Sequence, residues 1–152
     1  MKTLKEGDKA PNFSVADQDG ITHTLEMYKG KKLIVFFYPK ASTPGCTNEA
    51  CNLRDNYEVL QEKGYEILGV SADSQKRQKN FRDKHKFPFP LLADEDKEIL
   101  EGFGVWGEKK FMGRTYDGIH RMTFLIDENG VVERVISKVK TKDHAAQILE
   151  EV

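Results

Sequence analysis

Cys46 and Cys51 are the only cysteines in the chain, five positions apart in the stretch Tyr38-Pro39-Lys40-Ala41-Ser42-Thr43-Pro44-Gly45-Cys46-Thr47-Asn48-Glu49-Ala50-Cys51. An ionised thiol is a nucleophile and a metal ligand. Two thiols in a reducing compartment more often serve catalysis or metal binding than a structural bridge. A metal would need further ligands, and His23, His85, His120 and His144 form no cluster at ligand spacing with the cysteines. His120, next to Arg121, is the one histidine to watch, and a structural role is the stronger reading for it. Two unrelated cysteines remain as the bland alternative.

The local pattern favours a nucleophile at Cys46. Thr43 is a good N-cap, and Pro44 then takes the first helical position, where its missing N–H costs nothing. Cys46 falls in the first turn, where unpaired backbone N–H groups and the helix dipole favour negative charge. At about 100° per residue, Cys46, Ala50, Leu53, Tyr57 and Leu60 fall within about 40° of one line. Cys46 therefore begins the buried stripe, and burial works against its ionised form, so a cation is required nearby. Cys51 lies about 140° away on the same wheel, on the solvated side between Glu58 and Glu62. In a regular helix such a pair has Cα atoms roughly 8 to 9 Å apart, whereas a disulfide needs less than about 7 Å. The two sulfurs can join only if the first turns of this helix unwind.

The elements around this stretch are those that would position it. The apolar run Leu33-Ile34-Val35-Phe36-Phe37 reads as a strand, Lys32 to Tyr38, covered on both faces. A helix is predicted from Pro44 to about Lys63, closed by Gly64, then a strand from Tyr65 to Ser71. Ser74 to Lys86 reads as a helix with Ser74 as N-cap and a solvated Lys/Arg face. Phe87-Pro88-Phe89-Pro90 ends it, Leu91-Leu92-Ala93 is a short strand, and Asp94 to Gly102 a short helix. Phe103 to His120 is glycine-dotted and reads as irregular. Arg121 to Asp127 and Val131 to Ser137 flank Glu128-Asn129-Gly130 as a hairpin, and Thr141 to Glu150 closes as a helix. Near the start, Phe13-Ser14-Val15 and Ile21 to Leu25 flank Asp17-Gln18-Asp19-Gly20 as another hairpin, with a helical turn at Leu25 to Tyr28. The order β-α-β-α, a connection, then β-β-α implies an α/β protein with a mixed central sheet flanked by helices. This is the thioredoxin-like arrangement, with an added N-terminal β-hairpin.

Composition bounds the partners. A chain of 152 residues with 38% hydrophobic and 32% charged residues suits one soluble domain over 1–152. A formal net charge of -1 gives no reason to expect nucleic acid or an anionic membrane. No stretch resembles a signal peptide or a membrane span, so a cytoplasmic protein is expected.

The pattern Pro39-x-x-x-Thr43-x-x-Cys46 resembles the peroxiredoxin active-site motif, and the whole string from Tyr38 to Cys51 is similar to the peroxiredoxin Q, or bacterioferritin comigratory protein, subfamily. Two further blocks agree, Gly104-Val105-Trp106-Gly107-Glu108-Lys109 and Gly118 to Asp127, so the resemblance runs over essentially the whole chain. It implies a peroxiredoxin-type thioredoxin fold and a thiol peroxidase that reduces hydrogen peroxide and organic hydroperoxides without metal or organic cofactor. It implies Cys46 as the peroxidatic cysteine, oxidised to sulfenic acid. Thr43 would hold the thiolate and orient the peroxide, and Arg121 would supply the cation that burial of Cys46 demands. Pro39, Thr43, Gly45 and Arg121 would form the substrate pocket. Cys51 matches the resolving cysteine, which would form an intramolecular disulfide with Cys46 for reduction by thioredoxin or a similar dithiol protein. The subfamily resemblance further implies a monomer.

Two other readings compete. A thioredoxin-like disulfide reductase is disfavoured by the absence of Cys-x-x-Cys and by the awkward x4 spacing within a helix. A non-enzymatic redox sensor or holdase, in which disulfide formation unfolds the helix, would stop after one equivalent of oxidant where a peroxidase turns over.

Overall fold

A computed structural model of the chain describes residues 1–152. Its centre is a five-stranded sheet in the order β5-β4-β3-β8-β9, built from β3 (Lys32–Phe37), β4 (Tyr65–Ser71), β5 (Leu91–Ala93), β8 (Met122–Ile126) and β9 (Val132–Ile136). β4 lies parallel to β3 and β5, while β8 runs antiparallel to β3 and β9. The middle strand explains the uninterrupted apolar run. Leu33, Val35 and Phe37 enter one core cluster and Ile34, Phe36 and Tyr38 the other, so both faces of β3 are dry. Beside β3 a side chain on β4 has no room: a Cβ on Gly69 would come within 2.7 Å of Leu91 and 2.9 Å of Phe36.

One face of the sheet is covered by α1 (Pro44–Asp55), α2 (Tyr57–Glu62), α3 (Gln75–His85) and α5 (His144–Glu151), through residues such as Cys46, Leu53, Leu60, Phe81 and Ile148. The other face is covered by α4 (Glu98–Gly102) and the N-terminal segment, through Ile99, Leu100, Phe103 and Phe13. The N-terminal hairpin β1 (Ser14–Ala16) and β2 (Thr22–Thr24) forms where the Asp-Gly turn was expected, followed by a 3-10 turn at Leu25–Tyr28. The mixed sheet with helices on both faces is the thioredoxin-like architecture. No helix is long and apolar enough to cross a membrane.

Three local expectations need correction. The helix predicted from Pro44 to Lys63 breaks at Asn56, which has φ -114° and ψ 15°. Its side-chain amide donates to the Asn52 carbonyl at 2.9 Å, taking the acceptor that its own backbone N–H would use in a continuous helix. The short helix begins only at Glu98, because Asp94 to Lys97 forms a turn with Lys97 left-handed at φ 61°.

The segment from Phe103 to His120 is not irregular. β6 (Trp106–Phe111) and β7 (Arg114–Ile119) form an antiparallel hairpin closed by Met112 and Gly113, both at positive φ (51° and 79°). Two successive left-handed residues are the two-residue hairpin turn that usually carries Asn-Gly. Met in the first place removes that signal, and the largely exposed strands carry no apolar alternation to replace it.

Candidate active site

The loop between β3 and α1 is anchored before it reaches the cysteine. Tyr38 is fully buried and its hydroxyl donates to Gln78 at 2.6 Å. The Ala41 amide donates to the Asp73 carboxylate at 2.8 Å, and Ser71 donates to the same oxygen at 2.6 Å. The C-terminal end of β4 and the approach to α3 thus hold the loop from beneath, and Ser42 turns it with φ 65°.

Thr43 occupies the N-cap position with extended backbone, and Pro44 follows it at the start of α1. Its hydroxyl does not cap the helix. It donates to the Lys40 carbonyl at 2.7 Å instead, bracing the loop. Pro39 is half-buried in the same loop.

Cys46 is 1% exposed. Arg121, in the junction between β7 and β8, donates from Nη2 to its sulfur at 3.4 Å. Gly45 lies against the same guanidinium: a Cβ there would stand 3.2 Å from Nη2. The structure therefore brings Gly45, Cys46 and Arg121 together, with Thr43 and Pro39 on the adjoining loop.

Arg121 has a second partner that the helical wheel left out. Its Nη1 donates to Glu49 Oε1 at 2.7 Å, and Glu49 is fully buried. Burial pushes the Glu49 carboxyl up to about 7, against the opposing pull of Arg121. For Arg121 itself burial favours the neutral form, but Cys46 and Glu49 outweigh it and hold the group charged. Behind Glu49 stands His144, also fully buried, with Nε2 3.5 Å from Glu49 Oε2 and 2.7 Å from the Thr123 hydroxyl. Burial draws His144 down to about 4, so it is neutral around pH 7. Lys109 on β6 adds a further cation near the cluster, its ammonium donating to the Ile119 carbonyl at 2.8 Å. Burial, then Arg121, hold Lys109 below its usual range while Cys46 opposes them.

Glu49 was detectable in principle. At i+3 from Cys46 it falls about 60° from the stripe's line, just outside the arc used for the wheel. His144 and Lys109 carry no local signal, because topology alone delivers them. The His120 ring bonds only to the Glu108 carbonyl, at 3.1 Å, and its backbone N–H donates to the Val105 carbonyl at 2.8 Å, as a structural histidine.

Cys51 departs from its expected place on the solvated side. It is half-buried and packs against the same core cluster as Cys46. Burial pushes its thiol up, with Arg54 partly opposing. Both cysteines are free. No group of three or more His, Cys, Asp or Glu side chains is arranged to hold a metal ion.

The AhpC/TSA family model matches residues 6–135. Peroxiredoxin Bcp of Escherichia coli K12 is 50% identical over 149 residues, covering 98% of this chain and 96% of that protein. Peroxiredoxin Bcp of Bacillus subtilis is 46% identical over 148 residues, covering 97% and 94%. Among solved structures, a cysteine-to-serine mutant of Xylella fastidiosa PrxQ has a TM-score of 0.92 at 30% identity, covering 99% of this chain and 96% of that one. Xanthomonas campestris peroxiredoxin Q gives 0.86 at 38% identity, covering 91% and 87%. On these similarities and on the buried cysteine under its arginine, the chain belongs to the AhpC/TSA family as a peroxiredoxin of the Bcp/Q type, a thiol peroxidase.

Proposed function

We propose that Cys46 is the peroxidatic cysteine and Cys51 its resolving partner. The Cys46 thiolate attacks the terminal oxygen of a hydroperoxide, the O–O bond breaks, and sulfenic acid and an alkoxide or hydroxide result. The leaving oxygen takes a proton to become alcohol or water. The Cys51 sulfur then attacks the Cys46 sulfenic sulfur, releasing water and forming an intramolecular disulfide. A dithiol protein such as thioredoxin reduces that disulfide and returns both thiols.

The observation that carries this reading is the 3.4 Å donation from Arg121 to the buried Cys46 sulfur at the first turn of α1. A fixed cation there offsets the cost of a buried thiolate and is in place for charge developing on the departing oxygen. Thr43, Gly45 and Pro39 line the approach: Gly45 leaves the guanidinium its space, and Pro39 shields the sulfur from water. In this reading the Thr43 hydroxyl exchanges its Lys40 acceptor for the peroxide or thiolate when substrate enters.

Resolution requires α1 to open. Cys46 and Cys51 belong to one helix at a spacing too wide for a disulfide, so their union breaks the backbone bonds of the intervening turns. The reductant would meet this opened form. Hydrogen peroxide and organic hydroperoxides are the proposed substrates, for a monomer working in the cytoplasm.

The test is peroxide consumption coupled through thioredoxin and its NADPH-dependent reductase. Sustained NADPH oxidation that vanishes in Cys46→Ser supports the reading. Consumption that stops after one equivalent with thioredoxin present would favour a redox sensor instead.

A further inference from the structure

The arginine that faces Cys46 is shared, and the sharing leaves an accounting problem in the core. Arg121 is the one cation touching both Cys46 and Glu49. If Cys46 and Glu49 were both ionised, two buried anions would compete for one guanidinium. Glu49 Oε2 already has no hydrogen-bond partner, although the residue is fully buried. An ionised carboxylate oxygen left bare in the core is costly, because it has given up water without gaining a donor.

The neighbouring histidine is set up to relieve this. His144 Nδ1 lies 2.9 Å from Gln147 Oε1. That oxygen also accepts from the Lys140 amide, while Gln147 Nε2 donates to the Lys138 carbonyl, so the orientation of the Gln147 amide is determined. Gln147 Oε1 can therefore only accept, and His144 carries its proton on Nδ1. Its Nε2 is then a lone pair, receiving the Thr123 hydroxyl at 2.7 Å and facing Glu49 Oε2 at 3.5 Å. A proton on Glu49 Oε2 would have that lone pair as its acceptor in competition with the Thr123 hydroxyl.

We infer that Glu49 and His144 are positioning residues that take up one proton when Cys46 ionises, leaving the Arg121 charge to the thiolate. The charges balance: thiol, carboxylate and guanidinium become thiolate, carboxylic acid and guanidinium, with no change in the net charge of the cluster. The charged and titratable groups around Glu49 are Cys46 from its own helix, Arg121 from the β7–β8 junction and His144 from α5. Lys109 from β6 acts on Arg121 and Cys46. The raised Glu49 and lowered His144 both agree with a proton that resides on the carboxyl.

The inference rests on the reading of Cys46 as an ionising nucleophile, and its test is independent of turnover. The rate of Cys46 alkylation by iodoacetamide is followed against pH in a Cys51→Ser background, with folding of each variant checked by circular dichroism. Glu49→Gln, which fixes the neutral state, is expected to move the profile to lower pH. His144→Phe, which removes the acceptor, is expected to move it to higher pH by about half a unit or more. In Glu49→Gln the added His144→Phe change should have no effect. Thr123→Val frees the Nε2 lone pair for Glu49 with little change of shape and should shift the profile to lower pH. Equal shifts from His144→Phe in both backgrounds, or no response to Thr123→Val, would overturn the coupling even if the protein is an active peroxidase.

Discussion

Arg121 and Glu49 are 72 positions apart in the chain and meet at 2.7 Å, with the carboxylate wholly sealed from solvent. Glu49 sits between the two cysteines, so the ion pair ties the segment that would open for a Cys46–Cys51 disulfide to Arg121. Truncating one member of a buried pair commonly costs about 3–5 kcal/mol, because the other charge is left uncompensated. Arg121→Met is therefore expected to lower both stability and the rate with peroxide, the latter by on the order of 10²-fold. Adding Glu49→Gln should restore much of the stability and little of the rate. Urea denaturation and stopped-flow peroxide kinetics on both variants check this; joint recovery of rate and stability would mean that Arg121 is only structural.

Glu49 and His144 also have opposite effects on stability as pH changes. A carboxyl raised to about 7 on folding adds stability that is full below its ordinary value near 4.5 and is lost as pH rises through 7. A histidine lowered to about 4 adds stability that is full above its ordinary value near 6.5 and is lost as pH falls through 4. Between about pH 4.5 and 6.5 the two slopes, each near 1.4 kcal/mol per unit, oppose one another. Glu49→Gln should leave the histidine slope exposed, so that stability relative to the parent climbs with pH in this window. Urea midpoints at several pH values would show it, and parallel curves for the two proteins would refute it.

Gly45→Ala should separate stability from activity. Within α1 the exchange favours the helix by roughly 0.5–1 kcal/mol. The new Cβ, however, would stand 3.2 Å from Arg121 Nη2, tight enough to shift the guanidinium by a few tenths of an ångström and lengthen its contact with the sulfur. A thermal midpoint that is unchanged or raised, with a peroxide rate lowered by about tenfold, is expected. An unchanged rate would show that the contact in the resting protein is not the one that matters.

Asn52 bridges α1 to α5 and the turn before it, accepting from the Ala145 amide at 2.7 Å and donating to the Lys142 carbonyl at 3.2 Å. Opening of α1 as far as Cys51 disturbs both bonds. Hydrogen exchange of the Ala145 amide should therefore accelerate when the protein is oxidised, and Asn52→Ala should give similar acceleration in the reduced protein. Exchange at Ala145 that is indifferent to oxidation would confine the rearrangement to the first turns of α1.

Much of this arrangement is legible in the sequence. β3 announced itself because both of its faces are dry, and Pro44 and Gly64 marked the ends of the α1–α2 segment, since local chemistry governs such signals. The β6–β7 hairpin escaped because a methionine occupies the turn position where asparagine is the usual cue, and because its strands lie on the surface. Within the site, Cys46 and its burial followed from helical spacing. Glu49 lies at the edge of that stripe by the same spacing, whereas His144 comes behind it only through the packing of α5 on α1. Asn56 shows the limit from the other side: a single side-chain bond to a backbone carbonyl divided a helix that periodicity alone would join.

The most direct test of the central claim is oxidation of the reduced protein by one equivalent of hydrogen peroxide, with thiol counting and intact-mass measurement. Loss of both thiols, a mass two hydrogens lower, and a peptide linking Cys46 to Cys51 within one chain is the expected result. Cys51→Ser should instead hold one added oxygen on Cys46. Peroxide consumption that persists in Cys46→Ser, or oxidation that leaves Cys51 free in the parent protein, would contradict the account.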